Sequence, residues 1–146
     1  MTLKRATGAP PIGDVYLDEP WVSIRWDGAH HCVHTEWKAF ATSVEFRAAL
    51  MRALDPIREK RAVGYLSDTR KIKVIVHTDQ AWANEVWIPL LVAAGVKRFA
   101  LVTAASGLGK MNVEDVIQLV DNRGVLMRGF SSLEGARHWL AEIQPG

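Results

Sequence analysis

The chain has 146 residues and a formal net charge of +2, with 49% hydrophobic and 23% charged residues. This composition is typical of a globular domain and excludes a disordered chain, and the small net charge gives no reason to expect a nucleic-acid partner. The single cysteine excludes an internal disulfide, so we expect a reducing, cytoplasmic location. No apolar run is long enough to span a bilayer, so we expect no membrane span.

The first residues of the chain differ in pattern from the rest. Residues 1–13 contain two prolines and two glycines but no apolar core, so we predict a flexible N-terminal segment that is not a signal peptide. Residues 14–146 are patterned throughout and contain no internal repeat and no obvious linker. We expect them to form a single domain.

Three short segments at the start of this domain have the period of β-strands. They are Val15–Leu17, Trp21–Trp26 and Cys32–Lys38. In the second segment apolar residues alternate with Ser23 and Arg25, which indicates a strand with one face buried. Because the connections between the segments are short, we predict that the three strands form an antiparallel meander.

After Phe40 the apolar period changes from two residues to about 3.6, the period of a helix. Thr42 and Glu45 have capping-box spacing, in which each side chain binds a free backbone N–H at the helix start. Pro56 cannot donate to the carbonyl four residues before it, so we expect the helix to kink or end there. One apolar stripe follows the helix and consists of Phe46, Leu50, Leu54 and Ile57.

Strands and helices alternate in the remaining chain. We predict buried strands at Ala62–Leu66, Phe99–Thr103 and Val125–Met127. Such alternation gives parallel strands joined by right-handed crossovers. The whole is therefore predicted to be an α/β domain with a mixed sheet of five to six strands and four helices, its first strands antiparallel.

Three helices are expected in this alternating part. The first runs from Thr78, whose hydroxyl is placed to cap it, to about Ala94, and Gly95 stops it. The second is capped by Asn112 and closed by Gly124. The last opens with a second capping box, formed by Ser131 and Glu134, and carries Ala136, Trp139, Leu140 and Ile143 on its inner face.

The helix from Thr78 is apolar around much of its circumference. Trp82 and Val86 lie on one side of it and Trp87 and Leu91 on another. Such a helix is either buried in the domain or packed against another surface. A homodimer interface is one way to remove its second apolar side from water. Because the two tryptophans cannot share one face, we expect one of them to line a cavity or a subunit contact.

The most chemically suggestive segment surrounds Cys32. In an extended chain, His30, Cys32, His34 and Glu36 project from one face, and each is a possible zinc ligand. Positions 30 and 36 would lie roughly 20 Å apart, which excludes a four-ligand site, so we interpret this face as polar and solvated. A Cys32–His34 nucleophile and base pair lacks an orienting group and oxyanion donors. We therefore predict no metal, no cofactor and no catalysis.

A basic segment precedes the helix from Thr78. Residues 58–73 hold six basic and two acidic residues, and Arg70, Lys71 and Lys73 fall in the predicted loop after a strand. Free backbone N–H groups at the following helix start would assist the binding of an anion or a phosphorylated partner. Solvated surface charge is the preferred interpretation of these basic residues, and an anion or phosphate site is the alternative.

Seven short motifs resemble those of the small bacterial SpoIIAA-like proteins, over about residues 15–143. The motifs are Trp37-Lys38-x-Phe40, Ser43-x-Glu45-Phe46, Asp68-Thr69-Arg70, Asp79-Gln80-x-Trp82, Trp87-x-Pro89, Ala94-Gly95-Val96-Lys97 and Val113-Glu114-Asp115. That family shares a fold with STAS domains and is related to lipid-binding CRAL-TRIO domains. The resemblance implies a STAS-like layer with a mixed sheet.

The resemblance also implies where binding would occur. STAS anti-sigma-factor antagonists bind a kinase and are switched by phosphorylation of a serine in an Asp-Ser-Ser-Gly stretch, whereas this chain has Asp68-Thr69-Arg70-Lys71. The second serine and the glycine are missing, which argues against the same switch and leaves the hydroxyls of Thr69 and Thr78 as acceptors. Kinship with CRAL-TRIO domains implies an apolar pocket beside the helix from Thr78.

We therefore expect a non-enzymatic binding or regulatory module that takes a protein partner. A carrier of an apolar small molecule or lipid is the alternative. The predicted binding residues are Asp68, Thr69, Arg70, Lys71, Thr78, Trp82 and Trp87.

Overall fold

A six-stranded sheet organises the chain in a computed structural model that describes residues 13–72, 75–104 and 124–143. The predicted flexible segment, apart from Gly13, and the body of the helix predicted from Asn112 lie outside the described residues. The strands are β1 Val15–Glu19, β2 Val22–Asp27, β3 Cys32–Trp37, β4 Gly64–Asp68, β5 Arg98–Val102 and β6 Leu126–Phe130.

The strands lie side by side in the same order as in the chain. The pairs β1–β2 and β2–β3 are antiparallel, as their short connections require. The pairs β3–β4, β4–β5 and β5–β6 are parallel. The predicted mixed sheet, antiparallel at its start and parallel afterwards, is confirmed.

The helices of the described ranges pack on both faces of this sheet. No helix within those ranges is long and apolar enough to cross a membrane. The helical segments are α1 Ser43–Lys60, α2 His77–Trp82, a π-helical turn Ala83–Trp87, α3 Ile88–Ala93 and α4 Leu133–Ala141.

Helix α1 begins with the predicted capping box. The Thr42 hydroxyl accepts a hydrogen bond from the Glu45 backbone N–H at 3.2 Å, and the Glu45 carboxylate accepts one from the Thr42 N–H at 2.9 Å. The predicted stripe is buried against the sheet. The helix continues past Pro56 to Lys60, so the expected end at Pro56 is wrong. Pro56 removes only one helical hydrogen bond, and the helix continues beyond it. The helix ends at Arg61, which has a left-handed backbone with φ 52° and donates its N–H to the Arg58 carbonyl.

Replacing Thr42 by alanine is expected to lower the free energy of unfolding by about 1 kcal/mol, because the Glu45 N–H loses the Thr42 hydroxyl that accepts its hydrogen bond. The matched control is Thr78→Ala. The structure places Thr78 inside the first turn of α2, where no side chain caps the helix, so the predicted cap is wrong. Urea denaturation of both variants measures the difference. An equal loss of stability in the two variants would contradict these helix starts.

The segment from His77 to Ala93 is helical throughout but changes its hydrogen bonding in the middle. The Ile88 N–H donates to the Ala83 carbonyl, five residues back, which defines the π-helical turn. Pro89 follows directly and has no N–H for the Glu85 carbonyl, and its ring crowds that carbonyl. The turn widens as a result, and Gly95, at φ 106°, follows the end of α3.

The sheet has one core on each face. On the first, which we call the α1 face, α1, the π-helical turn and α3 pack on side chains that include Ile24, Val33, Tyr65 and Phe99. On the second, the α4 face, helix α4 covers Cys32, Leu66, Ala100 and Val102. Both faces of the central strands are therefore buried.

The interpretation of the Cys32 face as polar and solvated is wrong. Cys32 is fully buried because it packs in the same core as the inner side chains of α4, and His34, on the same face of β3, is 5% exposed. The capping box predicted for α4 is also wrong, since Ser132 caps the helix by accepting from the Gly135 N–H at 3.1 Å. The inward positions Ala136, Trp139 and Leu140 are buried as predicted.

Candidate functional site

A pocket of about 120 Å³ lies between the α1 face of the sheet and the helical segments. We call it the aromatic pocket. The sheet contributes side chains near the carboxyl ends of three parallel strands, where ligands of open α/β sheets commonly bind. These side chains are Trp37 of β3, Ser67 of β4, Thr69 just after β4, and Leu101 of β5.

The helical wall of the aromatic pocket comes from α1 and from the segments after Val76. Phe46 and Leu50 belong to the buried stripe of α1. Gln80 lies in α2, while Asn84 and Trp87 belong to the π-helical turn. The irregular turn therefore forms part of this wall, which is consistent with the frequent occurrence of such turns at functional sites.

Aromatic rings form two sides of the aromatic pocket. Trp37 stacks on Phe46 with a centroid distance of 5.1 Å and an interplanar angle of 29°. Trp87 meets Phe99 edge to face at 6.1 Å. Both indole N–H groups are already used, since Trp37 donates to the Ser67 hydroxyl at 3.2 Å and Trp87 to the Leu50 carbonyl at 2.6 Å. The rings are therefore held in fixed positions around the space between them.

Four polar side chains also line the aromatic pocket, and all are uncharged. The Thr69 hydroxyl donates to the Val102 carbonyl at 2.9 Å, and the Gln80 amide donates to the Ile75 carbonyl at 2.6 Å. Ser67 accepts from Trp37, whereas Asn84 makes no hydrogen bond to any described residue. No described lining residue carries a charge. The chemistry available is hydrogen bonding by hydroxyl and amide groups in an apolar space.

A second, smaller pocket of about 30 Å³ adjoins the first and shares Trp37, Phe46 and Ile75 with it. Asp79 lines the smaller pocket and is buried, with its carboxylate accepting from Ser43 at 2.8 Å and from Arg47 at 2.9 Å. These bonds tie the start of α2 to the start of α1. They fix one end of the helical wall.

The structure divides the predicted binding residues between the two faces of the sheet. Thr69 and Trp87 line the aromatic pocket. Asp68 projects to the α4 face, because neighbouring residues of a strand point to opposite sides. Its carboxylate accepts two hydrogen bonds from the Arg70 guanidinium, at 2.9 and 2.7 Å. Burial raises the pKa of Asp68, but the hydrogen bonds from Arg70 outweigh it and hold this pKa below its usual range.

The other predicted residues lie outside the aromatic pocket. The Lys71 ammonium is 3.5 Å from the Glu36 carboxylate, so the two cations of the predicted basic loop that the structure describes, Arg70 and Lys71, have carboxylate partners. Lys73 lies outside the described residues. Thr78 is exposed in the first turn of α2. Trp82 is half-buried, with the Arg47 guanidinium 5.2 Å from its ring centroid. The two tryptophans therefore lie in different surroundings. Trp87 is buried and lines the aromatic pocket, whereas Trp82 is half-buried and does not line it.

The Cys32–His34 pair has the wrong surroundings for catalysis. Burial raises the pKa of the Cys32 thiol, with the Asp27 carboxylate as a further cause, so the nucleophilic thiolate is disfavoured. Burial also lowers the pKa of His34 to about 4, assisted by the Arg137 cation. Among the described residues, no three His, Cys, Asp or Glu side chains are grouped as a metal site requires.

Sequence reasoning missed the polar side of the aromatic pocket. Ser67 and Thr69 alternate with Asp68, and this period of two places them on the same face as Tyr65. Asn84 is four residues after Gln80, which puts both on one helical face. Pro89, inside a helical pattern, is the sequence signal for the irregular turn. The sequence indicates Trp37 only as part of a family motif, because its partner Ser67 is distant in the chain.

The strand order, the mixed pairing and the helices on both faces define a SpoIIAA-like fold, the class that the sequence motifs predicted. A solved structure of this class comes from Shewanella loihica PV-4 and is an uncharacterised protein of the DUF3478 family. It is similar to this chain with a TM-score of 0.52 and 14% sequence identity, over 82% of this chain and 91% of that one. At this identity the likeness shows the fold alone. No family model and no curated protein matches the chain.

Proposed function

We propose that this protein is a non-enzymatic, STAS-like module that binds a small apolar molecule in the aromatic pocket. The observation that carries the proposal is a space of about 120 Å³ lined largely by aromatic and aliphatic side chains at the carboxyl ends of the parallel strands. An apolar cavity of roughly 150 Å³ holds a benzene molecule in another protein. The size therefore favours a molecule with about one ring over a lipid with an acyl chain, although the predicted kinship is with lipid carriers.

The residues around the aromatic pocket support binding without catalysis. The described lining contains two hydroxyls, but no histidine, carboxylate or cysteine that would act on them as a base. Cys32 and His34 lie on the α4 face and are buried there. A bound molecule would meet an apolar surface with a few hydrogen-bonding groups, which suits recognition and not bond cleavage.

The protein partner, the homodimer and the cytoplasmic location stay predictions. Arg70 and Lys71 each have a carboxylate partner, so the loop presents less free positive charge than its sequence indicates. This pairing favours the small-molecule function over recognition of a phosphorylated partner. A regulatory role remains compatible with it, because the same helical segment that lines the aromatic pocket also reaches the surface at Val86.

Filling the aromatic pocket is expected to abolish binding. Ala83 lines the pocket, so Ala83→Phe places a ring in the space that the ligand would occupy. Ala81→Phe is the matched control, since Ala81 lies in the same helical segment and does not line the pocket. Native mass spectrometry, compared with the denatured mass, is expected to detect a bound molecule in the wild type and in Ala81→Phe but not in Ala83→Phe.

Titration with benzene, followed by tryptophan fluorescence, gives a second readout that does not depend on a co-purified molecule. We expect saturable binding to the wild type and at least a tenfold loss of affinity in Ala83→Phe, because the added ring and the ligand compete for one volume. An unliganded mass in every preparation, together with no binding of benzene, would refute the proposed function.

A further inference from the structure

We infer that the ligand of the aromatic pocket is a neutral, single-ring aromatic molecule with one hydrogen-bonding group, which Asn84 and Ser67 recognise. This inference rests on the proposed function and narrows it to a class of ligand. It depends on three features of the pocket, which are its shape, its lack of charge and its unused polar atoms.

The shape argument starts from the fixed rings. Trp37 and Phe46 lie on one side of the space and Trp87 and Phe99 on another, and hydrogen bonds hold both indoles in place. Flat walls of this kind favour a flat ligand that makes stacked or edge-to-face contacts. The volume of about 120 Å³ accommodates about one ring with a small substituent inside the pocket.

The absence of charge in the described lining disfavours an ionised ligand. A carboxylate or an ammonium group placed inside the pocket would have no counter-ion among the described lining residues. The adjoining pocket contains the carboxylate of Asp79 in its described lining. This carboxylate already accepts hydrogen bonds from Arg47 and Ser43, so it is not a free counter-ion for a cationic ligand. The pocket therefore discriminates against charge while accepting a neutral molecule of the same shape.

The unused polar atoms point to a hydrogen-bonding substituent. Asn84 lines the aromatic pocket and has no hydrogen-bond partner among the described residues, so its amide offers both a donor and an acceptor. The Ser67 oxygen accepts from Trp37, which leaves its own proton free to donate. A hydroxyl or amide group on the ring would use these atoms, whereas a purely hydrocarbon ligand would leave them unpaired.

Two pairs of probes of matched shape test the inference. Phenol and toluene differ in hydrogen bonding, and benzamide and benzoate differ in charge. We expect phenol to bind about fivefold more tightly than toluene, because one net hydrogen bond contributes about that factor to the affinity. We expect benzoate to bind at least tenfold more weakly than benzamide, because its charge would lack a counter-ion in the pocket. Isothermal titration calorimetry on the full chain, with tryptophan fluorescence as a second signal, measures all four affinities.

The variant Asn84→Leu identifies the recognising residue. Leucine keeps the size of the side chain and removes its amide, so the preference for phenol over toluene is expected to fall while toluene still binds. The part of the preference that remains belongs to Ser67, which the variant leaves unchanged. Glu85→Leu, at the exposed neighbouring position, is the control and should retain the preference. A misfolded variant would lose toluene as well, which separates loss of recognition from loss of the fold.

The other possible results contradict the ligand class, the role of Asn84 or the proposed function, and they can be told apart. If toluene binds as tightly as phenol, or benzoate as tightly as benzamide, the ligand class is wrong while the proposed function stands. A phenol preference that survives undiminished in Asn84→Leu overturns the role of Asn84. If none of the four probes binds and no molecule co-purifies, the ligand class and the proposed function both fail.

Discussion

Replacing Trp87 by alanine is expected to lower the free energy of unfolding by about 3–5 kcal/mol, the usual range for a buried tryptophan. Trp87 is 1% exposed and meets Tyr65 and Phe99 edge to face. Its indole donates to the Leu50 carbonyl at 2.6 Å, and the variant leaves that group without this partner. The loss is a large fraction of the stability of a typical domain, so the variant should be partly unfolded at moderate urea concentration.

Trp82→Ala is the control within the same helical segment. Trp82 is half-buried, and its ring contact with the Arg47 guanidinium is partly exposed, so its loss should cost about 1 kcal/mol. Urea denaturation followed by far-ultraviolet circular dichroism measures both variants. Similar costs for the two tryptophans would show that the core does not lie where the structure places it.

The second large effect concerns acid stability. Burial holds the pKa of His34 at about 4, below the ordinary value of 6.5. Between these two values the unfolded chain binds a proton that the folded chain does not, so stability falls as the pH is lowered. The contribution of His34 is at most about 1.4 kcal/mol for each pH unit. Above pH 6.5 both states are neutral and this dependence disappears.

His34→Leu is expected to remove that share of the pH dependence. Both ring nitrogens of His34 are buried and have no hydrogen-bond partner in the described part of the chain, so leucine should also raise stability at pH 7. The charges that act on His34 come from Arg137 on α4 and from Asp68, Glu36 and Asp27 on the strands, and all of them remain in the variant.

Urea denaturation at several values between pH 4 and pH 7 measures this effect in the wild type and the variant. His138→Gln is the control, because His138 is exposed on α4 and keeps its hydration in the folded chain. We expect the control to follow the wild type. A His34→Leu variant as acid-sensitive as the wild type would contradict burial of a neutral imidazole on the α4 face.

Local features were well predicted because their causes lie within a few residues. The Thr42–Glu45 capping box needs two side chains three positions apart, and the structure contains it. The buried stripe of α1 follows from the helical period alone. Errors at helix starts arose where several hydroxyls compete, as at Ser131 and Ser132, since spacing does not decide which of them leaves the helix.

The aromatic pocket was predicted less completely. The helix beside it was foreseen, and Thr69 and Trp87 were among the expected residues. The pairing of Trp37 with Ser67 joins residues thirty positions apart, and local periodicity contains no signal for such a contact. Asp68 and Thr69 lie on opposite faces of the sheet because successive residues of an extended chain point to opposite sides. Which of the two faces holds the pocket depends on where the helices pack.

The sequence by itself determined the order of strands and helices, the mixed sheet and the start of α1, because periodicity and capping are local properties. The tertiary structure alone decided that α4 covers Cys32, that His34 is buried on the same face, and that aromatic side chains from α1, the π-helical turn and two strands line one space. A strand with polar side chains on one face can have that face in solvent or in a core, because burial of the face depends on which element packs over it. The neutral pocket, and with it the proposed function, is a product of that packing.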